Sequence, residues 1–553
     1  MQKDKQYYDD FFEKYPVNIH DNPDRFIAVS KLLSGKVLDI ACGTGTLSDY
    51  YTGDYVGVDI SSVAISKAKS VRRESALFYV EDFTLPIPLV DHSFDCAYLG
   101  EFLEHIENDD VVFENIMRMS EKGARIFVTV PNGDRVPDES HCRVFTVPQI
   151  RRDYSKYGKI TFHNWSGFKD RILFSIDTNS ENNDLISLVM IVKDEEKGIE
   201  NAIISALPLV DNIVISVDSS STDKTKFLAE MYADELKIHE WHDNFADTRN
   251  EAQKNVKSKW ILFLDGHEYI EKTGQIENML MLDVDGILTT IKMENGASFM
   301  YPRIFRSYLK FENAVHNDLP VKTKQFSPKF VIVHDRNNSQ SIESSKQRER
   351  QRDRMIPDLM KLALKNDPND QRALFNLGNW YMSKGQNKEA IKIYKRCYKL
   401  TPTKDEKYFI MAQIGIARQF LGQDLRATWT FFALDKLIPN RWETKRLIGG
   451  IYVQRGQYRH ALDFLVQALE VNTHQYLYQI FGQDFAELWD LIASCFNEVN
   501  QPARAIIAWQ EAIKNSKDEK RKEFFQTKIE LCKLLLKNEP ELQRVADSEK
   551  INQ

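Results

Sequence analysis

The chain has no Cys-x-x-Cys pair, no apolar run approaching the length of a membrane span, and no block of one charge sign large enough to mark a polyanion partner. Each absence excludes a class. Six cysteines at positions 42, 96, 142, 397, 495 and 532 are scattered, so free thiols in a reducing compartment are expected rather than disulfides or a structural zinc. Without about 18 consecutive apolar residues nothing is expected to span a bilayer. The start, MQKDKQYYDDFFEKY, is polar and has no hydrophobic core of a secretory signal, so a cytoplasmic protein is expected. A net charge of −7 over 553 residues gives no basic footprint for nucleic acid. What is present is ample core material, 42% apolar and 11% aromatic, enough for three domains.

The first domain is expected over residues 1–178. Residues 24 to 34 read as a helix with Phe26, Ile27, Val29, Leu32 and Leu33 on one face. A strand, Lys36-Val37-Leu38-Asp39-Ile40, runs into Ala41-Cys42-Gly43-Thr44-Gly45 and then a helix, a turn that lets backbone approach a ligand closely. The next strand ends in Asp59, an acid 20 residues after Asp39 that can accept both hydroxyls of a ribose. Further strands end at Glu81-Asp82-Phe83 and Gly100-Glu101, a fifth covers Arg125 to Pro131, and segments near 160–162 and 171–175 close the set. The alternation implies a doubly wound, mostly parallel α/β sheet.

LDIACGTG, VGVDIS, EDF and FDCAYLGEFLEHI in this order resemble the class I S-adenosylmethionine-dependent methyltransferases, closest to the ubiquinone-biosynthesis O-methyltransferase type. The resemblance implies a Rossmann-like fold and S-adenosyl-L-methionine as cofactor. It implies that Asp39, Gly43 and Gly45 line the methionine end, Asp59 and Ile60 hold ribose and adenine, Asp82 and Phe83 flank the adenine, and Glu101 sits at the lip of the fourth strand. NAD is the rival for such a turn, but the third glycine of GxGxxG is missing. His105 and His141 are the candidates for general base. No metal-ligand cluster stands out in this stretch.

A polar linker at 177–184 resets the composition, and a second α/β domain is expected over 184–340. Strand Leu185 to Val192 ends in Lys193-Asp194-Glu195-Glu196, and strand Asn212 to Val217 ends in Asp218-Ser219-Ser220-Ser221-Thr222-Asp223. A helix carries Asp247 and Arg249, and strand Trp260 to Leu264 ends in Asp265-Gly266-His267-Glu268. Three strands ending in acids at one edge are costly unless they meet a cation, a base or sugar hydroxyls.

VMIVKDEE, VDSSSTDKT, FADTRNEA and WILFLDGHE resemble the family 2 glycosyltransferases of GT-A fold, near the branch of bacteriocin peptide S-glycosyltransferases with tetratricopeptide-like helices. The likeness implies a nucleotide-sugar donor of the UDP type. Asp194 and Glu196 would contact base and ribose, Asp218 the uracil or ribose side, Ser221 and Asp223 would shape the loop, and Arg249 would meet diphosphate or sugar. Asp265 and His267 would ligate Mn²⁺ or Mg²⁺, with His334 as third ligand and His316 as its alternative. Asp-Gly-His replaces the usual Asp-x-Asp, which favours Mn²⁺. The same Asp-x-His pairing occurs in polypeptide N-acetylgalactosaminyltransferases. Asp247, Glu268 and Asp318 remain open as the base that deprotonates the acceptor.

Residues 341–536 are expected to be a connecting helix and an all-α solenoid of tetratricopeptide repeats, with a polar tail over 537–553. The charged run 343–354 reads as a solvated helix, or as the source of an arginine that reaches the diphosphate. Leu377-Gly378, Tyr381, Ala390, Tyr394 and Pro402 start a near-34-residue period. It continues at Gly415, Ala427, Phe431 and Pro439, then at Gly449, Tyr452, Ala461, Leu465 and Ala468. A weaker set is Ala493, Phe496, Ala505, Trp509 and Ala512. Trp442, Tyr476, Tyr478 and Phe481 fall off the template and are expected on a binding face or in a widened loop. The whole reads as a bifunctional transferase whose repeats hold a peptide, protein or glycan acceptor. The alternatives are a repeat scaffold with an inactive catalytic domain, or an enzyme of surface-polysaccharide synthesis.

Overall fold

The computed structural model describes residues 3–14, 23–87, 93–180, 185–242, 244–293, 298–312, 319–336, 357–470, 484–516 and 518–538. The sequence-based expectations for His316, Asp318, the charged run 343–354, Tyr476, Tyr478, Phe481 and the tail beyond 538 lie outside these residues. The chain divides into two compact units. One is Met1–Leu288 with Pro302–Phe326 and Asp335–Gln340; the other is Thr289–Tyr301 with Ser327–His334 and Ser341–Gln553. The division is therefore not a single cut at residue 340.

The first unit opens with a seven-stranded sheet: β1 (Val37–Ile40), β2 (Tyr55–Asp59), β3 (Leu77–Val80), β4 (Phe94–Gly100), β5 (Ser120–Pro131), β6 (Lys159–Phe162) and β7 (Arg171–Asp177). Its order is β3-β2-β1-β4-β5-β7-β6. β1 to β5 are parallel, and β7 returns antiparallel against β5 and β6. Val37, Leu38 and Ile40 are fully buried because helices cover both faces of a parallel sheet. Strand order reverses at β1, which opens a crevice at its carboxyl end. The full helix expected after the glycine turn is only a short 3₁₀ turn, Thr46–Asp49. The amides of Tyr50 and Tyr51 both bond the Leu47 carbonyl, which closes the turn.

The same unit contains β8 (Ile186–Val192), β9 (Asn212–Asp218), β10 (Glu235–His239) and β11 (Trp260–Phe263), followed in the chain by β12 (Glu268–Lys272), β13 (Gly286–Met293), β14 (Ser298–Arg306) and β15 (Lys324–His334), the last three reaching into the second unit. β10, β9, β8 and β11 are adjacent and parallel, and β14 pairs antiparallel with β11. Ile199, Ala202, Ile203 and Ala206 of helix Ile199–Ala206 are buried as their spacing predicts.

The two sheets share a polar seam. Asn132 donates to the Tyr232 hydroxyl at 2.9 Å, and that hydroxyl donates to Glu200 at 2.7 Å. Arg135 pairs with Glu200 at 2.6 Å, while Arg151 pairs with Asp234 and donates to the Val210 carbonyl at 2.9 Å. Asn132 and Tyr232 are fully buried there.

In the second unit, helices pair as 371–383 with 387–400, 404–420 with 424–437, 442–454 with 458–470, and 485–498 with 502–515, before a last helix, 519–538. The repeats obey a packing rule. A Cβ on Gly378 would stand 2.5 Å from Tyr394, on Gly415 2.2 Å from Phe431, and on Gly449 2.7 Å from Leu465. In each pair the large residue lies 16 positions after the small one. Ala493 and Trp509 keep that offset, both buried. Trp442 is not on a binding face as expected. It is buried in the core with Ala461 and Leu465, and its chain neighbours Arg441 and Glu443 form a fully buried ion pair whose guanidinium lies 4.0 Å over the Tyr408 ring.

Gly415→Val is expected to lower the unfolding temperature of the helical unit through a loss of about 3 kcal/mol from overpacking. Gly450→Ala, at a site with nothing within 4 Å, is expected to have no adverse effect. Circular dichroism melts compare the two, and equal melting curves would refute the packing rule.

Candidate functional site

At the carboxyl ends of β1, β2 and β4 lies a cavity of about 620 Å³. Gly43, Asp59, Ile60, Asp82, Phe83 and Glu101 all line it. Asp59 is 7% exposed and accepts hydrogen bonds at 2.8 Å from the amides of both Gly43 and Ser61. Burial pushes its carboxyl up to about 6, against those two bonds. Asp82 accepts from the Thr84 amide and hydroxyl at 2.9 and 2.6 Å. Asp39 and Gly45 are not among the cavity walls. Asp39 is buried in β1, receives the Tyr55 hydroxyl, and is pushed up to about 7 by burial. Gly45 makes room for Phe78, whose ring a Cβ would approach to 2.4 Å, with φ at +72°.

One cavity wall was not anticipated. The helix Lys5–Lys14 places Tyr7, Tyr8, Phe11 and Phe12 against the opening. It is anchored by Asp9, which accepts from the Ser61 hydroxyl at 2.7 Å and the Val63 amide at 3.2 Å. The signal was present in YYDDFF, whose aromatic pairs recur at i and i+4.

The cavity is also lined by Glu104, His105 and His141 beside Glu101. Glu101, at φ +55°, pairs with Arg171 at 2.8 Å and Arg25 at 3.6 Å. Glu104 is 1% exposed; burial, helped by the charge of Glu101, pushes its carboxyl well up. His105 and His141 stack edge to face with ring centroids 5.0 Å apart. Burial lowers His105, only partly offset by the Ser140 carbonyl. Ligand atoms of Glu104, His105 and His141 all lie within 4.8 Å of one another, so this stretch does hold a metal-capable cluster. The sequence hid it because His141 comes from a loop 36 positions downstream of His105.

In the second sheet, β9, β8 and β11 are neighbours, so their acid-bearing ends stand side by side. Asp194, at φ +47°, accepts from the Thr222 amide at 2.8 Å and the Ser221 hydroxyl at 3.3 Å. Asp223 accepts from the amides of Glu196 and Thr225 at 3.0 and 2.9 Å, and Glu196 accepts from the Lys224 amide at 3.2 Å. These carboxylates stitch the β8 and β9 loops together. Burial works to raise Asp218, yet the Ser220 hydroxyl and amide and the Lys193 charge hold it below the usual carboxylate range.

Asp265 follows β11 and is met by Arg249 at 3.2 Å and Arg303 at 3.6 Å. Arg249 lies over the rings of Phe263 and Phe311 at 4.4 and 5.2 Å. His267 is buried, with Nδ1 3.2 Å from Glu195 and Nε2 accepting from Arg336 at 3.2 Å. That donation occupies the lone pair a cation would need. His334 ends β15. Glu268 is 1% exposed, bound by Arg303 at 2.6 Å and by the Asp265 amide at 3.0 Å. Asp247 remains exposed in the first turn of helix Phe245–Ala252, its amide capped by Asn244. Glu195, Arg303 and Arg336 were missed, because no local pattern marks which acid of Asp194-Glu195-Glu196 turns inward.

All six cysteines are free thiols. Among the described residues no helix is long and apolar enough to cross a membrane. Comparison with known proteins matches residues 38–128 to the family described as methyltransferase domain, 187–335 to glycosyl transferase family 2, and 373–408 to the tetratricopeptide repeat. The chain thus carries these three domain types in that order. It is 27% identical over 159 residues to a TPR repeat-containing protein of Synechococcus elongatus, covering 27% of this chain and 39% of that protein. It is 35% identical over 92 residues to an uncharacterized glycosyltransferase of Rickettsia bellii, covering 17% and 31%. It is 32% identical over 97 residues to a demethylmenaquinone methyltransferase of Paenarthrobacter aurescens, covering 17% and 37%. The chain spans two fifths or less of each of these relatives.

Proposed function

We propose that the chain is a bifunctional transferase that moves a glycosyl group from a UDP-type nucleotide sugar to a peptide, protein or glycan acceptor, and a methyl group to a hydroxyl. The hydroxyl is assigned to the same glycan, since joining two activities raises the effective concentration of one product at the other site. The observation that carries the reading is the pair of acid-bearing sheet edges, one around Asp59 and one around Asp265, at the carboxyl ends of parallel strands in the two sheets.

In the first crevice, Asp59 offers its remaining lone pairs to ribose hydroxyls while Gly43 and Ser61 hold the carboxylate in place. Asp82 and Phe83 border the base, and the aromatic side chains of the Lys5–Lys14 helix form a wall of the same cavity. Bound S-adenosyl-L-methionine supplies a methyl group on a sulfonium. The acceptor oxygen approaches from the end lined by Glu104, His105 and His141.

At the second edge, Asp194, Glu196, Asp218 and Asp223 shape the nucleoside site through their ties between the β8 and β9 loops. Arg249 and Arg303, which converge on Asp265, meet the diphosphate charge. Asp247 takes the acceptor proton. The helical repeats, a fold of stacked pairs with a groove-forming surface, hold the acceptor.

Nucleotide release from a panel of UDP- and GDP-sugars tests the second half. Asp265→Ala is expected to slow release about a hundredfold, the scale of losing one preorganised electrostatic group. Absence of release from every donor would overturn this half of the proposal.

A further inference from the structure

His239 ends β10 and stands in register with Asp218, the last residue of β9. Ser216 lies two residues back on the same face of β9. The Ser219 amide donates to the His239 carbonyl at 2.8 Å, which fixes the histidine backbone against the acid-bearing loop. The ring is half-buried, and its Nδ1 lies 2.8 Å from the Ser216 hydroxyl. Asp218 uses Oδ1 for the Ser220 amide and hydroxyl at 2.8 and 2.6 Å. Its Oδ2 is met by Lys193 at 3.6 Å, which leaves room for a further donor.

The tautomer of His239 follows from its neighbour. Ser216 is 2% exposed, and His239 Nδ1 is the only hydrogen-bond partner of its hydroxyl among the described residues. A buried hydroxyl with one partner donates to it, because its proton has nowhere else to go. Nδ1 therefore accepts, and the ring proton sits on Nε2. Burial lowers the imidazole against the pull of Asp218, which keeps the ring neutral at neutral pH. Nε2 makes no hydrogen bond among the described residues. An N–H donor is thus presented next to a carboxylate acceptor, at the edge where the β8 and β9 loops gather their acids.

We propose that His239, held by Ser216, determines which base the sugar donor carries: its Nε2–H donates to a ring carbonyl of uracil while Asp218 accepts from the adjacent N3–H. Uracil presents a carbonyl, an N–H and a second carbonyl in a row, so a donor and an acceptor side by side match it. Cytosine presents an amino group and a bare ring nitrogen at the same places. That sets donor against donor and lone pair against carboxylate, and a site built to hydrogen-bond one partner rejects the analogue that leaves its polar groups unmatched. Ser216 is a positioning residue in this scheme, since it acts only by holding the proton of His239 on Nε2.

The inference rests on the glycosyltransferase reading of this edge, and one calorimetric series separates the two. UDP, CDP and GDP are titrated into the full-length chain with Mn²⁺ present. The parent is expected to hold UDP at least about tenfold more tightly than CDP. His239→Leu is expected to weaken UDP about tenfold and to leave CDP no weaker. His239→Gln returns an amide N–H near the place of Nε2 and is expected to stay within about threefold of the parent for UDP. Ser216→Ala is expected to fall between them. Nitrogen NMR of the imidazoles, assigned by difference from His239→Gln, is expected to show the proton on Nε2 in the parent and shared between both nitrogens in Ser216→Ala. A preference for UDP over CDP that survives His239→Leu, or tighter binding of GDP than of UDP by the parent, overturns the role of His239 and leaves a nucleotide-sugar donor in place. Binding of none of the three nucleotides removes the glycosyltransferase reading, and the inference with it.

Discussion

Asp59→Ala is expected to weaken S-adenosylhomocysteine binding to the full chain roughly a hundredfold in a calorimetric titration. Two hydroxyl hydrogen bonds to a carboxylate contribute about 1.5–3 kcal/mol each, and partial solvation of the vacated site returns some of that. The same substitution removes the acceptor that holds the Gly43 and Ser61 amides, so the glycine turn loses its brace as well. The pH profile gives an independent reading. Burial raises the Asp59 carboxyl to about 6, so in the free protein it is protonated below that pH and ionised above it. Binding hydroxyl donors favours the ionised form. Affinity should therefore rise as pH increases from about 5 to 8, with proton release near pH 6, and Asp59→Asn should flatten that rise. Affinity unchanged in Asp59→Ala would remove the nucleoside from this cavity.

Glu443→Ala is expected to cost about 3–5 kcal/mol in the helical unit, because it strands a fully buried guanidinium. The pair is held at 3.1 Å with both side chains at 0% exposure, and Arg441 lies over Tyr408. Replacing both partners, Arg441→Met with Glu443→Leu, should return most of the loss, since a buried pair is often no better than apolar residues of similar volume. Thermal melts of the single and double variants decide it. A double variant as unstable as the single would mean that other contacts of Arg441 matter more than its charge partner.

Parallel strands were legible wherever apolar residues ran continuously and ended in acid. β2 falls on Tyr55–Asp59 as its pattern predicts, and β8, β9 and β11 lie within a residue of their expected ends. Local patterns of this kind report burial on both faces directly. Side-chain direction at a strand end is a different matter. Asp194, Glu195 and Glu196 are equivalent acids in sequence, yet only Glu195 turns inward to His267, where Gly266 leaves room for it. Asp265 and His267 are two residues apart, but Arg249, Arg303 and Arg336 reach them from three other segments. No spacing rule along the chain anticipates such convergence. The same holds at Glu104, whose environment depends on a loop carrying Asp138, Ser140 and His141. Trp442 misled for a related reason: an off-template tryptophan reads as surface, whereas here it is buried in the core between repeats.

The seam between the two sheets sets how the chain can be handed down and taken apart. Residues 177–184 look like a natural place for a module boundary, but Asn132, Tyr232, Glu200 and Arg135 form one chain of polar contacts across it. A fragment ending near residue 178 would lose the partners of Arg135 and Arg151 together, and bare a face shaped for a neighbour rather than for water. Recombination that exchanges one catalytic half for a relative's would have to carry the facing residues with it. The two sheets are thus tied through these side chains, and a substitution at Tyr232 or Glu200 is expected to disturb both.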